Sequence, residues 1–332
     1  MRGTQIQITH DLNELIIRFS VSIAAYGAHA APLGFKLTHC YPLKHQGEDG
    51  LQFLTGIFNN ILEGGRVPKE WRVTRIQLIH KGKGKDKADL GCYRPVAISS
   101  CVYKLYAGLL RDRLQVELET GGQLVEFQNG FRKGRRGSDN LFVITQLMEV
   151  AVRRGNPFFI AFLDIKGAFD NVNRAKLWEI LLEYGITHSL VDAIRALYAD
   201  TEYTIQWGTH KTEGIRVNKG VRQGCPLSPL LFLAYINELG VRLREAGIGY
   251  RIGARHLPGM LFCDDVALIS ESSSELQQLL DIAGSYGEDF GLSYGEDKSG
   301  VLKVNAEQQN AGGTGQTQWQ LLDCKVNAVE EY

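Results

Sequence analysis

The amino-acid sequence predicts an α+β fold in which helices cover one face of an antiparallel sheet. Three observations predict it. Residues 158–163, Phe-Phe-Ile-Ala-Phe-Leu, form an apolar, strand-like run that ends in Asp164. Residues 260–262 and 266–269 are two further short apolar runs, joined through Cys263-Asp264-Asp265. Between and around them apolar residues recur with the period of a helix.

Residues 1–48 have weak periodicity and no motif from which a structure can be read. Beyond them Leu51, Leu54, Ile57, Phe58, Ile61 and Leu62 recur at helical spacing, with Gly64-Gly65 as the stop and Pro68 beyond it. Residues 73–80 read as a strand. After the Lys/Gly turn at 81–87 and Tyr93-Arg94-Pro95, residues 101–118 read as helix, and Ser138 or Asp139 is placed to cap another over 141–154. Pro157 opens the apolar strand, which runs through Asp164 into the turn Lys166-Gly167. Asn173 is placed to cap a helix ending at Gly185, and Thr187 one ending near Asp200. Residues 201–207 and 212–217 flank Gly208-Thr209-His210 as a hairpin. The helix after Pro229 carries Leu230, Leu231, Ala234, Leu239 and Leu243 and stops at Gly247. A helix over 273–290 and a strand over 301–304 follow, then a polar Gln/Gly/Thr linker over 305–318 and a strand-like end over 319–332.

At 332 residues, 44% hydrophobic and 22% charged, the chain has room for two globular units, which excludes intrinsic disorder, collagen and coiled coil. Its six cysteines include no C-x-x-C pair and none sits with histidine at zinc-finger spacing, so neither a structural zinc site nor a disulfide framework is expected. The apolar stretch over 16–35 is broken by Arg18 and His29 and preceded by Asp11 and Glu14, which suits neither a signal peptide nor a membrane span. The expectation is an intracellular protein, nuclear or cytoplasmic, with no membrane partner.

Basic and acidic residues number 37 each, a balance that hides an asymmetry. Residues 66–136 hold 16 basic and 7 acidic side chains, whereas 271–332 hold 3 and 11. The first stretch is a candidate polyanion surface, whose binding would weaken steeply with salt. The Lys81–Lys87 run alone also reads as a solvated turn. Arg94 and the cluster Arg132, Lys133, Arg135 and Arg136 add to the first reading.

The carboxylates carry the chemistry. Asp264 and Asp265 lie between apolar runs, and burying ionised carboxylates without partners is costly. A solvated hairpin tip is one reading, although such tips favour Asn-Gly, Asp-Gly or Gly-Gly. Asp164 ends another apolar strand. Three carboxylates delivered by neighbouring strand ends can share two hard divalent cations about 4 Å apart, the arrangement used for phosphoryl transfer. Asp170 fits a ligand, a turn or a cap equally.

Ordered blocks then carry a resemblance. They are Val67-Pro-Lys-Glu-Trp71 with Ile76-Gln-Leu-Ile-His-Lys81, Tyr93-Arg-Pro-Val-Ala-Ile-Ser-Ser100, Gln128-Asn-Gly-Phe-Arg-Lys-Gly-Arg-Arg136, Phe162-Leu-Asp-Ile-Lys-Gly-Ala-Phe-Asp170, Gly220-Val-Arg-Gln-Gly-Cys-Pro-Leu-Ser-Pro-Leu-Leu-Phe232, Phe262-Cys-Asp-Asp265, and Phe290-Gly-Leu292 with Lys298. Over about residues 51–304 the chain resembles the reverse transcriptase domain of non-LTR (LINE-type) retrotransposons. The resemblance implies a right-hand polymerase with fingers over 49–155 and palm over 156–304, copying an RNA template from a DNA primer with dNTP substrates and two Mg²⁺ ions, or Mn²⁺. It implies Asp164 and Asp264 as direct metal ligands, Asp265 as the third carboxylate, and Phe169 as the bulky group that selects deoxyribose. Lys81 and Arg94 fall where cations meet the triphosphate, with Lys83 or Lys85 as alternatives to Lys81. Gln223 and Gly224 border nucleotide and template, Lys298 resembles a lysine near the departing pyrophosphate, and the 132–136 cluster is a nucleic-acid contact.

The chain departs from the family pattern at Cys263, where Ala is more usual. Residues 305–332 read as a linker and the start of a truncated primer-grip region, so the expectation is a chain whose thumb is missing. The alternative reading is a catalytically inactive, nucleic-acid-binding remnant of a retroelement.

Overall fold

The computed structural model describes residues 47–82, 84–207, 210–305, 318–321 and 324–327. In chain order the elements are helix α1 (Gly47–Leu62), the short α2 (Lys69–Arg72), β1 (Val73–His80), β2 (Tyr93–Ile98), α3 (Cys101–Thr120), α4 (Gly137–Arg154), β3 (Phe158–Asp164), the short α5 (Ala168–Asn171), α6 (Arg174–Glu183), α7 (His188–Tyr198), β4 (Glu202–Trp207), β5 (His210–Lys211) and β6 (Ile215–Arg216). There follow α8 (Ser228–Glu245), β7 (Tyr250–Ile252), β8 (Arg255–Leu257), β9 (Gly259–Phe262), β10 (Asp265–Ser270), α9 (Ser273–Phe290), β11 (Gly300–Val304), β12 (Gln318–Leu321) and β13 (Cys324–Asn327). The readings that concern residues 1–46, Lys83, Gly208-Thr209, 306–317, 322–323 and 328–332 lie outside the described residues.

Local chemistry explains most boundaries. Asn173 caps α6, its side-chain oxygen accepting from the backbone N–H of Ala175 (3.0 Å) and Lys176 (3.3 Å). Asp139, not Ser138, tightens the start of α4 by accepting from the Arg136 N–H at 2.8 Å, and the helix begins four residues earlier than its apolar pattern. Thr187 precedes α7 but makes no side-chain cap, and its own N–H donates to the Glu117 carboxylate at 2.7 Å. Cys92, Cys225 and Cys263 are free thiols. Cys101 is disulfide-bonded, a pairing that the local spacing of the cysteines does not reveal.

The chain divides into two compact units, each assembled from separated segments. The first takes the described residues up to Thr120 with Leu181–Asn218 and Arg222–Ser228. Its sheet has the order β2-β1-β4-β5, with β6 also on β4. β1 runs antiparallel to β2 but parallel to β4, so this sheet is mixed and additional to the single antiparallel sheet predicted. Phe58, Trp71, Tyr103 and Tyr106 form its aromatic core, with ring centroids 5.0–6.4 Å apart. Such contacts add about 0.5–1.5 kcal/mol per pair beyond burial.

The second unit takes Gly121–Ile180, Lys219–Val221 and the described residues from Pro229 onward. Its main sheet, β11-β3-β10-β9, is antiparallel throughout. β3 lies inside it with Phe158, Phe159, Ile160, Ala161 and Leu163 all buried, hence a continuous apolar run without alternation. α9 packs on β3 and β10, while α4 meets β9 and β11. Tyr235 of α8 ties helices to loops, its hydroxyl donating to the Phe290 carbonyl at 2.6 Å and accepting from the Asn173 N–H at 3.2 Å. Among the described residues no helix is long and apolar enough to cross a membrane.

Candidate active site

The antiparallel register of β3 and β10 places Asp265 directly opposite Asp164. Opposed residues in such a ladder have Cα atoms roughly 4.5–5.5 Å apart. Phe262 pairs with Asp265 as well, so β9 and β10 are joined by a loop of just Cys263 and Asp264. Cys263 has φ +63°, and Asp264 is not among the residues with positive φ. Two-residue hairpins with that sign pattern normally put glycine first. The turn thus delivers Asp264 at its second corner and Asp265 at the first position of the strand.

Negative charge concentrates here. The Asp265 carboxyl is raised above its usual range, first by burial and then by the negative charges of Asp264 and Asp164, with Lys298 acting the other way. Lys298 Nζ stands 3.3 Å from Oδ1 and 3.4 Å from Oδ2 of Asp164. Their side chains are 71% and 33% exposed, so solvent screens this pair. Burial, followed by the Asp264 charge, pushes the Cys263 thiol far up, so it stays protonated.

A strap of three residues crosses the turn. The Gln128 side-chain oxygen accepts from the backbone N–H of Gly130 (2.8 Å) and of Cys263 (3.2 Å). The Asn129 N–H donates to the Leu261 carbonyl, and the Leu261 N–H to that of Phe127, both at 2.9 Å. Asn140 of α4 donates to the same Leu261 carbonyl at 3.1 Å and pairs with the Asn129 side chain. Gly130 lies so close that a Cβ there would sit 2.2 Å from the Cys263 nitrogen. The sequence signal was the Gln128-Asn-Gly block, read only as part of a family pattern.

The basic cluster beside the strap divides. Arg132 donates to the carbonyls of Val125 (3.0 Å) and Gln128 (3.3 Å). Arg135 donates to the Glu126 carbonyl (2.6 Å), the Asn129 side chain (2.9 Å) and the Glu126 carboxylate (2.7 Å). Both guanidinium groups therefore brace the strap, whereas Lys133 and Arg136 are exposed. Phe169 of α5 is half-buried, stacked on Phe232 at 5.1 Å and edge-on to Phe131 at 6.4 Å. Asp170, beside it, is exposed.

Lys81, Arg94, Gln223 and Gly224 belong to the first unit, the carboxylates, Phe169, Lys298 and the strap to the second. Lys81 Nζ donates to the Gly91 carbonyl at 2.7 Å, and Arg94 stands exposed on β2 opposite Ile79. The Gln223 carbonyl accepts from the Ala97 N–H at 2.8 Å. Gly224, at φ +98°, approaches the Ala97 carbonyl closely enough that a Cβ would lie 3.1 Å from it. Arg222, which sequence reasoning missed, is fully buried beneath this loop. Its guanidinium lies 4.9 Å from the Tyr103 ring and 5.5 Å from that of Tyr198, and donates to the Leu197 carbonyl and the Thr201 hydroxyl.

As a donor set the three aspartates suit a hard divalent cation, since all offer carboxylate oxygen and crowd like charge that a cation would relieve. Among the described residues, no three histidine, cysteine or carboxylate side chains are drawn together as a finished metal cluster.

Residues 79–322 match the family model described as reverse transcriptase (RNA-dependent DNA polymerase). The chain is 29% identical over 227 residues to the Pol polyprotein of the type-1 retrotransposable element R2 of Nasonia vitripennis, covering 68% of this chain and 22% of that protein. It is 28% identical to the polyprotein of the type-2 element R2DM of Drosophila melanogaster (76% and 23% covered), and 25% identical to the RNA-directed DNA polymerase from the Drosophila mobile element jockey (76% and 27%). The chain thus spans about a quarter of these relatives' length. Among solved structures, two of telomerase from Candida tropicalis share the fold at 12% identity. The apo form gives a TM-score of 0.52 over 79% of this chain and 54% of that one, and the complex with a telomeric RNA fragment 0.53 over 82% and 47%. With Asp164 and Asp265 paired across β3 and β10 and the family model matching most of its length, the chain belongs to the reverse transcriptase family, and these relatives are proteins of retrotransposable and mobile elements.

Proposed function

We propose that this chain catalyses RNA-directed DNA synthesis, adding deoxynucleotides to a DNA primer 3′-hydroxyl along an RNA template. The observation that carries this reading is the register that sets Asp265 opposite Asp164, with Asp264 on the intervening tight turn. In this reading Asp164 and Asp264 hold a pair of divalent cations, Mg²⁺ or Mn²⁺, and Asp265 supplies the supporting charge. When bound, such ions activate the attacking hydroxyl and neutralise charge developing on the phosphates.

The chain's own groups do the rest. Lys298 Nζ, 3.3 Å from Asp164 Oδ1, is the cation we assign to the departing pyrophosphate. Phe169, held by its stack on Phe232, is the bulky group we assign to excluding a ribose 2′-hydroxyl. In residues 49–155, which we assign to the fingers, Arg94 presents a planar fork suited to a triphosphate and Lys81 a point charge, and Lys133 and Arg136 are exposed to meet the nucleic-acid backbone. Residues 156–304 are assigned to the palm, where Gln223 and Gly224 border nucleotide and template.

The test is extension of a DNA primer annealed to RNA, with dNTPs and Mg²⁺ or Mn²⁺. Wild-type protein should extend. Asp264→Asn should lose more than about 100-fold, beyond what loss of a group outside the ligand set costs. Equal extension by the variant would remove Asp264 from its role.

A further inference from the structure

We infer that Gln128 is a positioning residue for the carboxylate-bearing turn, an assignment that rests on the polymerase reading above. The turn has an inherent problem. Cys263 must hold φ +63°, a conformation that a residue with a Cβ adopts only under outside restraint. Neither of its flanking strands supplies that restraint to its N–H, since the ladder of β9 and β10 closes at Phe262 and Asp265.

Gln128 does. Its side chain is fully buried, and one carboxamide oxygen accepts both the Cys263 N–H and the Gly130 N–H. The first bond fixes the orientation of the peptide entering the turn, and the second fixes the strap from which Gln128 projects. The strap is anchored in turn on β9 through Asn129 and Leu261 and on α4 through Asn140. The Gln128 amide nitrogen is buried and has no hydrogen-bond partner among the described residues. An unsatisfied buried donor is destabilising. A methionine of similar size would avoid that penalty, so the residue serves for its acceptor and not for filling space. The consequence is that Asp264 and Asp265 are aimed by a side chain more than a hundred positions earlier in the chain.

The test compares the whole chain with its Gln128→Met variant, which keeps volume and loses the acceptor. Amide hydrogen exchange is followed at Cys263 and Gly130, thermal unfolding reports the fold, and steady-state primer extension separates kcat from KM. We expect exchange at both amides to accelerate at least tenfold while β3 and α9 stay protected. We expect kcat to fall at least tenfold, KM for dNTP to change less than twofold, and the Mg²⁺ concentration for half-maximal rate to rise. Unchanged exchange at Cys263 would overturn the inference, and so would faster exchange with kcat and Mg²⁺ dependence unaltered. A wild-type protein that does not extend primers at all would refute the polymerase reading instead, and exchange at Cys263 would still report the hold. Gln128→Ala serves if the methionine variant fails to fold, with the same expectations.

Discussion

Replacing Gly130 with alanine tests how tightly the turn is held. The added Cβ would lie 2.2 Å from the Cys263 nitrogen and 2.9 Å from both the Cys263 Cα and the Phe262 carbonyl carbon. All three are backbone atoms, so no side-chain rotation relieves the overlap. Comfortable carbon contacts begin near 3.5 Å, and the strap and turn must therefore separate by more than about 1 Å. Overpacking of this kind costs about 1–3 kcal/mol, which for a domain of this size lowers Tm by roughly 2–12 °C. Misplacing catalytic groups by about 1 Å lowers rate by around 100-fold. Single-turnover primer extension and a thermal melt read both effects. Gly137→Ala is the control, because its Cβ would meet the Phe262 ring at an ordinary 3.7 Å and should change stability by no more than about 0.5 kcal/mol. Wild-type rate and Tm in Gly130→Ala would refute the claim that backbone proximity fixes the turn.

Two other substitutions probe the site. The native Asp265 carboxyl holds its proton above the usual 3.8, so its contribution to stability is fully present below that value and is lost as pH rises through the native one. Asp265→Asn in chelator should therefore melt higher than wild type at neutral pH, by roughly 0.2–1 kcal/mol as expected for relieving opposed like charges. The difference should vanish in acid, and a pH-independent gap would contradict the cause assigned to the shift. Phe169→Val opens the space beside the sugar and should raise ribonucleotide relative to deoxyribonucleotide addition by about 10–200-fold, the range one pocket contact supports. Paired NTP and dNTP incorporation assays measure it, and an unchanged ratio would remove Phe169 from sugar selection.

What the sequence made legible follows its local patterns. The buried run from Phe158 announced β3, and the interruption of apolar residues by Cys263-Asp264-Asp265 announced the turn between β9 and β10. Pairing between distant segments was not legible. β2 escaped because Tyr93-Arg94-Pro95 looks like a turn, yet proline is tolerated on an edge strand, where Pro95 pairs with Leu78. The parallel match of β1 to β4 has no local signature. Charge misleads at Arg132 and Arg135, whose composition says surface while their guanidinium groups bond the strap and the carbonyls of Val125 and Glu126 just before it. The restraint on Cys263 was invisible for the same reason, because a short polar segment has no period and its purpose appears only when its partners are in place.

The discontinuous make-up of the first unit sets an order of events on the ribosome. β1 and β2 emerge early, but β4, the strand that pairs with the other edge of β1, is encoded far downstream. At roughly 5–20 residues per second, β1 waits on the order of ten seconds with one row of peptide groups unpaired. Such an edge invites a neighbouring nascent chain to pair with it. Yield from crowded polysomes will therefore depend on what shields that edge during translation.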